Sequence, residues 1–289
     1  MTGSLSWNNV HQGDSDRDLL PRLLDSGERV DLILTDPPYN LGKDFGNKSD
    51  ALRLDEFLEV NRGRLTIGRD LLASDGSLLW FATHHYVGFL QAMMYELGLH
   101  YRRMNIWRYE NGFSRYTTSP QGEYEPFLWF SKSNERWTYN GDDVRVPYKS
   151  TERLRSPVFY KGANGERKAW HPHPEGRLRG DVWEFPTLAG RRFAKERTGH
   201  PTQKPLSLFL ELLKAFCPKD EEGRYHGAVL DPYAGSGTLP VACEILNHQG
   251  HRIRWMAFEL EEKWVDVANS RLASITPTLF CRDGDPELG

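Results

Sequence analysis

A short motif near the start of the chain combines residue types that suit the chemistry of an amine. Asp36-Pro37-Pro38-Tyr39 directly follows the apolar run 30–35. The Asp36 carboxylate and the Pro37 carbonyl are acceptors that can take both hydrogens of an exocyclic amine and draw its nitrogen toward tetrahedral geometry. The proline pair stiffens the turn and fixes the direction of that carbonyl, and the Tyr39 ring gives a flat face for stacking. The motif therefore predicts a site for a flat ring that bears an amino group.

A second motif, at 231–238, has the sequence DPYAGSGT and follows the apolar run 227–230. Its Gly235 and Gly237 are placed where the backbone must approach a ligand closely. A dinucleotide fold would need a third glycine where this chain has Pro240, and a phosphate-binding loop would need a following Gly-Lys-Thr/Ser. The motif therefore favours a nucleoside cofactor that lacks a pyrophosphate.

Four polar residues complete the predicted cofactor site. Asp231 can accept hydrogen bonds from an ammonium group, and Glu259, at the end of a later strand, is placed for ribose hydroxyls. Asp14 ends a weak first strand, where it can accept from an adenine amino group. Lys204, in the HPTQKP segment at 200–205, can pair with a carboxylate. Together with the two motifs, these residues predict methyl transfer from S-adenosyl-L-methionine to a nucleobase.

The elements that position these residues follow from the hydrophobic pattern. Both motifs end short apolar runs that are typical of buried parallel strands, and open α/β sheets bind ligands at such strand ends. Strands are predicted at 7–12, 30–35, 77–81, 101–109, 125–131, 228–230 and 254–258. Helices are predicted at 16–26, 55–72, 86–97, 205–216, 239–247 and 264–272. The alternation predicts an α/β fold in which Asp36 and Gly235 share one cavity.

Between residues 136 and 199 the periodicity fades, and Arg, Gly, Pro and Trp are frequent. We predict a small loop-rich subdomain here, inserted into a catalytic domain formed by 1–135 and 200–275 and followed by a polar tail at 276–289. The net charge is −3, but positions 145–198 contain thirteen Lys or Arg against six Asp or Glu. This basic segment predicts a polyanion-binding surface; a solvated basic loop is the alternative.

Cysteine and hydropathy patterns narrow the class of protein. Cys217, Cys243 and Cys281 are widely spaced, which predicts neither a disulfide framework nor a zinc cluster and fits a reducing, cytoplasmic location. The HPHP sequence at 171–174 has no Cys or acidic partner at a suitable spacing, so no metal is expected. The sequence has no apolar stretch near the roughly 20 residues of a membrane helix, and its first residues do not predict a secretory signal.

In combination, these residues resemble the permuted β group of DNA amino-methyltransferases, in the N-4/N-6 DNA methylase family. In that group the DPPY motif precedes a target-recognition region, which precedes the cofactor glycine motif, and this chain has the same order. The segments 105–132, 200–205 and 258–260 also resemble the family. Tyr233 stands where the family usually has Phe. The segment 136–199, in the place of the target-recognition subdomain, resembles no pattern that we identify.

The resemblance implies a seven-stranded, mostly parallel Rossmann-like methyltransferase sheet with helices on both faces. It implies catalysis by Asp36, Pro37, Pro38 and Tyr39. The contacts that it implies for S-adenosyl-L-methionine are Asp14, Lys204, Asp231, Tyr233, Gly235, Ser236, Gly237, Thr238 and Glu259.

Asp36, as the first residue of its motif, favours adenine, because the family typically has Ser there for cytosine. We therefore expect a site-specific methyltransferase that acts on the N6 amino group of an adenine flipped out of double-stranded DNA. A cognate restriction endonuclease and a homodimer are further expectations. The alternatives are an N4-cytosine methyltransferase, an enzyme acting on RNA or a protein glutamine, and a non-catalytic nucleic-acid-binding module. The sequence places no cysteine near the motif, which argues against methylation of a ring carbon through a thiolate.

Overall fold

One large sheet organises the computed structural model, which describes residues 4–42, 51–111, 118, 120–154 and 157–275. Within these residues the strands are β1 (Asn9–Gln12), β2 (Val30–Thr35), β3 (Leu72–Phe81), β4 (His100–Arg108), β5 (Tyr124–Ser131), β6 (Val158–Lys161), β7 (Arg167–Trp170), β8 (Val182–Glu184), β9 (His226–Asp231) and β10 (Arg252–Glu259). Eight of the described strands form the sheet, in the order β1-β10-β9-β2-β3-β5-β4-β8. Neighbours pair in parallel except where β5 meets β3 and β4. The predicted mostly parallel sheet is confirmed.

Helices cover both faces of this sheet. They are α1 (Leu20–Asp25), α2 (Leu54–Leu71), α3 (Val87–Glu96), α4 (Leu206–Phe216), α5 (Thr238–His248) and α6 (Glu262–Ala273). Buried side chains of α1, α2 and α3 form one core with alternate residues of the central strands, and those of α4, α5 and α6 form a second core on the opposite face. The predicted α/β arrangement with helices on both faces is therefore confirmed.

Strand β2 lies near the centre of the sheet between β9 and β3, and its sequence explains that position. Leu32, Ile33 and Leu34 are fully buried, and they pack alternately into the two cores. A parallel strand that is covered on both faces needs a continuous apolar run, not an alternating one. Pairing of Ile33 with Leu230 in β9 brings the ends of β2 and β9, and hence the two motifs, side by side.

The sheet has one strand more than predicted, because β8 comes from the segment 136–199. It pairs in parallel with β4, where Trp107 lies opposite Trp183. The Trp183 side chain is buried, and its indole N–H donates to the Asn105 side-chain oxygen at 3.1 Å. Val144 from the same segment also lies in the core beneath α4. Parts of the predicted insertion thus pack with the main sheet, and its division as a separate subdomain stays a prediction.

A hairpin from the same segment lies outside the large sheet. Strands β6 and β7 pair antiparallel with each other, and all eight of their residues are exposed. The predicted tail at 276–289, with Cys281, lies outside the described residues. Among the residues that the structure describes, no helix combines the length and the apolar character needed to cross a membrane.

Candidate active site

The two sequence motifs open onto one cavity of about 610 Å³ at the carboxyl edge of the sheet. The first motif follows β2, and the second follows β9, so the pairing of these strands brings Asp36 and Gly235 to the same space, as predicted. Twelve of the thirteen predicted site residues line the cavity: Asp14, Asp36, Pro37, Pro38, Tyr39, Lys204, Asp231, Tyr233, Gly235, Ser236, Thr238 and Glu259.

Gly237 is the predicted site residue that does not line the cavity. Its backbone has φ of +77°, and a Cβ added there would lie 2.6 Å from the Cβ of Ala268 in α6. The close approach that requires glycine here is therefore between two packed elements of the protein, not between backbone and cofactor. The expected contact of Gly237 with the ligand stays a prediction.

Gly235 lines the cavity, but a side chain at this position would contact another part of the protein. Its φ is +51°, and an added Cβ would lie 2.9 Å from the His200 Nε2. His200 belongs to the predicted HPTQKP segment, whose chain passes beside the glycine motif. The missing side chain at Gly235 thus lets His200 of the segment 200–205 pack against the glycine motif that follows β9.

Asp231 is a buried carboxyl that receives two hydrogen bonds at the end of β9. The Thr35 hydroxyl donates to its Oδ1 at 2.7 Å, and the Tyr233 backbone N–H donates to the same atom at 3.1 Å. Burial raises the pKa of Asp231 to about 7, although both hydrogen bonds act to lower it; the nearby carboxylates of Asp36 and Glu259 raise it further. A cation bound beside Asp231 would therefore favour its ionised form near neutral pH.

Glu259 lies at the end of β10, on the far side of β9 from Asp36. The Gly235 N–H donates to its Oε2 at 2.8 Å, and the Glu261 N–H donates to its Oε1 at 2.9 Å. Burial raises the pKa of Glu259, whereas these backbone hydrogen bonds lower it. Each carboxylate oxygen keeps a further lone pair, so Glu259 can still accept from ribose hydroxyls while the backbone holds it in place.

Asp36 lies in a cluster of charged and hydroxyl groups at the end of β2. The Lys204 ammonium donates to Asp36 Oδ2 at 2.5 Å and to Glu125 Oε2 at 3.1 Å. The Tyr39 hydroxyl contacts Asp36 Oδ1 and lies 3.1 Å from Glu125 Oε2. Burial raises the pKa of Tyr39, and the two carboxylates raise it further, so Tyr39 stays a neutral donor. The cluster thus combines two carboxylates, one ammonium and one hydroxyl.

Lys204 is only 4% exposed in its side chain. Its ammonium lies 5.1 Å from the ring centre of Tyr39 and 5.6 Å from that of Trp107. Burial acts to lower the pKa of Lys204, but Asp36 and Glu125 outweigh it, and the pKa lies above its usual value. In the structure Lys204 pairs with two protein carboxylates on the Asp36 side of the cavity, and its predicted contact with the cofactor stays a prediction.

Asp14 begins a π-helical turn at Ser15–Leu19, which leads into α1. Its Oδ1 accepts from the backbone N–H groups of Asp16 and Arg17, both at 3.0 Å. Its side chain is 39% exposed and forms part of the cavity wall, so an oxygen is available there to a ligand donor.

Three further residues at the site, Asp16, Arg64 and Glu125, are not indicated by any sequence pattern. Asp16 receives hydrogen bonds from the Tyr233 hydroxyl at 2.5 Å and from Arg64 of α2 at 2.7 Å. Glu125 lies at the start of β5. Because β5 runs antiparallel to β3, its first residues lie at the same edge of the sheet as the ends of the parallel strands. The strand direction that places Glu125 beside Lys204 is not a local property of the sequence.

The fold and the shared cavity define an α/β transferase of the Rossmann-like methyltransferase class. Residues 30–270 match the N-4/N-6 DNA methylase family, and the chain belongs to this family. The family predicted from the motifs is thereby confirmed.

Two curated relatives support the same assignment. The chain is 31% identical to the type II methyltransferase M.HpaI of Haemophilus parainfluenzae, over 85% of this chain and 68% of that protein. It is 29% identical to the DNA adenine methyltransferase YhdJ of Escherichia coli K12, over 73% of this chain and 67% of that protein.

Two solved structures share the fold. The complex of M1.HpyAVI with S-adenosylmethionine has a TM-score of 0.61 at 21% identity, and the match covers 91% of this chain and 98% of that one. The cytosine-N4-specific PvuII DNA methyltransferase has a TM-score of 0.62 at 16% identity, over 95% of this chain and 90% of that one.

Proposed function

We propose that this protein transfers the methyl group of S-adenosyl-L-methionine to the N6 amino group of an adenine in double-stranded DNA. One observation carries the proposal: Asp36 and Asp231, at the ends of adjacent strands, line a single cavity. A cavity of about 610 Å³ lies within the usual range for small-ligand sites. Asp36, which suits the amine of the base, and Asp231, which suits the ammonium group of the cofactor, therefore line the same cavity.

The residues on the β9 side fit an amino-acid-bearing nucleoside. Asp231 has an acceptor oxygen, Oδ2, beyond the one that Thr35 and Tyr233 use, and it suits the ammonium group. Glu259 is fixed by two backbone N–H groups and suits the ribose hydroxyls, while Asp14 suits the adenine amino group. When bound, S-adenosyl-L-methionine supplies a methyl carbon made electrophilic by its sulfonium.

On the β2 side, the chain's own groups orient the target. Asp36 and the Pro37 carbonyl accept the two amino hydrogens, which directs the nitrogen lone pair toward the methyl carbon, and Tyr39 provides the stacking face. The amine is itself the nucleophile, so no covalent link to the protein is needed. Cys217 and Cys243, the cysteines among the described residues, are buried, and burial raises the pKa of both thiols. Neither fits a thiolate mechanism.

The exposed β6–β7 hairpin supports DNA as the substrate. Phe159 and Tyr160 are about half exposed, at 53% and 50%. The Arg167 guanidinium lies 4.1 Å from the Phe159 ring centre, and Lys168 lies on the same strand. A two-stranded ribbon fits the major groove of DNA, and its basic residues suit phosphates. We assign DNA contact to this hairpin within the predicted target-recognition segment.

The finer choice is between adenine and cytosine. Asp36 and the adenine specificity in the name of YhdJ favour adenine, whereas the N4-cytosine specificity of PvuII methyltransferase makes cytosine the second candidate. The test is to methylate unmodified genomic DNA with labelled cofactor and to digest it to nucleosides. Label in N6-methyladenine supports the proposal, and label in N4-methylcytosine alone, or no incorporation into DNA, rejects it. A companion endonuclease, a homodimer and a cytoplasmic location stay predictions.

A further inference from the structure

Both oxygens of Asp36 are already engaged in the structure. Lys204 donates to Oδ2 at 2.5 Å, and the Tyr39 hydroxyl contacts Oδ1. Under the proposed function, on which this inference rests, Asp36 must accept a hydrogen from the target amine. Each oxygen keeps a further lone pair, but an oxygen that already accepts from an ammonium or a hydroxyl is a weaker acceptor for a third donor. The amine is therefore bound more tightly when these donors shift part of their contact from Asp36 to another acceptor.

Glu125 is the acceptor that both donors share with Asp36. Its Oε2 lies 3.1 Å from the Lys204 ammonium and 3.1 Å from the Tyr39 hydroxyl. The Lys204 side chain is 4% exposed, whereas that of Glu125 is 26% exposed. A buried ammonium that lost its only carboxylate would be strongly unfavourable, so a second carboxylate within reach allows Lys204 to leave Asp36.

Charge gives Glu125 a second effect. Asp36 and Lys204 alone form a neutral pair, and the lysine would oppose the positive charge that the target nitrogen acquires as it takes the methyl group. With Glu125 the cluster of Asp36, Lys204 and Glu125 carries a net charge of −1, which favours that charge. Shared between two carboxylates, the ammonium neutralises Asp36 less.

The position of Glu125 is fixed by strand pairing. In the register of β4 and β5 it lies opposite Trp107, whose ring is within 5.6 Å of the Lys204 ammonium. Two residues later Phe127 pairs with Phe81 of β3, and both rings are buried. The backbone at Glu125 is thus positioned by strand pairing beside a buried part of the sheet.

We infer that Glu125 is a positioning residue: it takes up Lys204 and the Tyr39 hydroxyl so that Asp36 is free to bind the target amine. It does not contact the cofactor side of the cavity, so its effect belongs to the methyl-transfer step.

The test compares Glu125→Gln with Glu123→Gln. The first variant removes the charge from the cluster and keeps the shape of the side chain; the second makes the same change in net charge two residues earlier, at an exposed site. We expect Glu125→Gln to lower kcat roughly tenfold to a hundredfold, the value of a charge-assisted hydrogen bond. The Kd of S-adenosyl-L-methionine should stay within about twofold of the parent value, and Glu123→Gln should match the parent in both.

Two further variants separate positioning from a general structural effect. Glu125→Asp retains the charge and should recover part of kcat. In a Lys204→Met background, adding Glu125→Gln should lower kcat much less than it does in the parent, because the two residues act together. Four outcomes would each overturn the inference. Glu125→Gln could keep the parental kcat, or it could change only the Kd of the cofactor. Glu125→Asp could fail to recover kcat, or the effects of Glu125→Gln and Lys204→Met on kcat could be additive. A parent protein that does not methylate DNA would instead refute the proposed function.

Discussion

The Thr35 hydroxyl donates a hydrogen bond to Asp231 Oδ1 at 2.7 Å, although 196 positions separate the two residues in the chain. Thr35 is the last residue of β2 and immediately precedes the first motif; Asp231 is the last residue of β9 and begins the second. Both side chains are buried. The bond therefore joins the ends of the two strands, and with them the two motifs, on opposite sides of the cavity.

Cofactor affinity should depend on pH through Asp231. Because its pKa is raised to about 7, the carboxyl is largely neutral at pH 6 and ionised at pH 8, and only the ionised form pairs with an ammonium group. We expect the Kd of S-adenosyl-L-methionine to fall by up to about tenfold between pH 6 and pH 8. Calorimetry across this range measures the change, and Asp231→Asn should bind weakly with a flat profile. An equal pH dependence in that variant would contradict the assignment.

The same shift predicts the pH dependence of stability without cofactor. The folded pKa of Asp231 lies above its ordinary value of 3.8, so the folded state binds this proton more tightly than the unfolded state. Its contribution to stability is complete below pH 3.8 and is lost as the pH rises through about 7. We expect the difference in Tm between the parent and Asp231→Asn to grow in favour of the variant from pH 5 to pH 8. A Tm difference that does not change with pH would exclude the raised pKa of Asp231.

Thr35→Val removes the bond that joins the two strands. Because the Thr35 hydroxyl lowers the pKa of Asp231, its loss should raise that pKa further and move the midpoint of cofactor binding to higher pH. At pH 7 the affinity should fall several-fold, or about 1 kcal/mol. Thr66→Val is the matched control, since that hydroxyl is exposed and bonds within α2. Equal behaviour of the two variants would show that the bond has no part in cofactor binding.

Asp36→Ala should separate binding from methylation. The side chain is on the β2 side of the cavity, so the cofactor Kd should remain close to the parental value, whereas methyl transfer should fall by roughly a hundredfold or more. Binding is measured by calorimetry and turnover by incorporation of labelled methyl groups into DNA. Asp55→Ala, at an exposed position on α2, controls for loss of an acidic charge. Near-parental turnover in Asp36→Ala would refute the role.

Gly237→Ala should destabilise the protein through the packing of α6. Gly237 and Gly250 both have positive φ. A Cβ added at Gly237 would collide with Ala268, whereas a Cβ added at Gly250 would have no atom within 4 Å. Gly250→Ala therefore measures the cost of the backbone conformation alone. We expect Gly237→Ala to lose about 1–3 kcal/mol more than Gly250→Ala in urea unfolding. Equal losses would show that the contact with Ala268 relaxes freely.

Arg167→Ala should weaken DNA binding without changing cofactor binding. If the β6–β7 hairpin contacts phosphate, the slope of log affinity against log salt should fall by about 1. Arg252→Ala is the control, because Arg252 is exposed at the start of β10, at the edge of the sheet away from the cavity. Fluorescence anisotropy with duplex DNA measures both. If the two variants had the same slope, the β6–β7 hairpin would not be part of the DNA interface.

Local patterns determined the elements and the motifs. The helix predicted at 55–72 is Leu54–Leu71, and the strand predicted at 30–35 is Val30–Thr35, because hydrophobic periodicity reflects burial that each element needs wherever it packs. Asp36 and Asp231 were found in the same way, since each directly follows an apolar run that ends at the ligand-binding edge.

Tertiary structure decided which side chains meet. Lys204 and Asp36 are 168 positions apart, and Glu125 joins them only because β5 runs against its neighbours; neither strand order nor direction is encoded in the spacing of nearby residues. The motif identifies Gly237, but glycine is needed there because the side chain of Ala268 on α6 lies so close. A pattern along the chain identifies a group capable of chemistry, whereas its partner depends on long-range packing, which local periodicity does not specify.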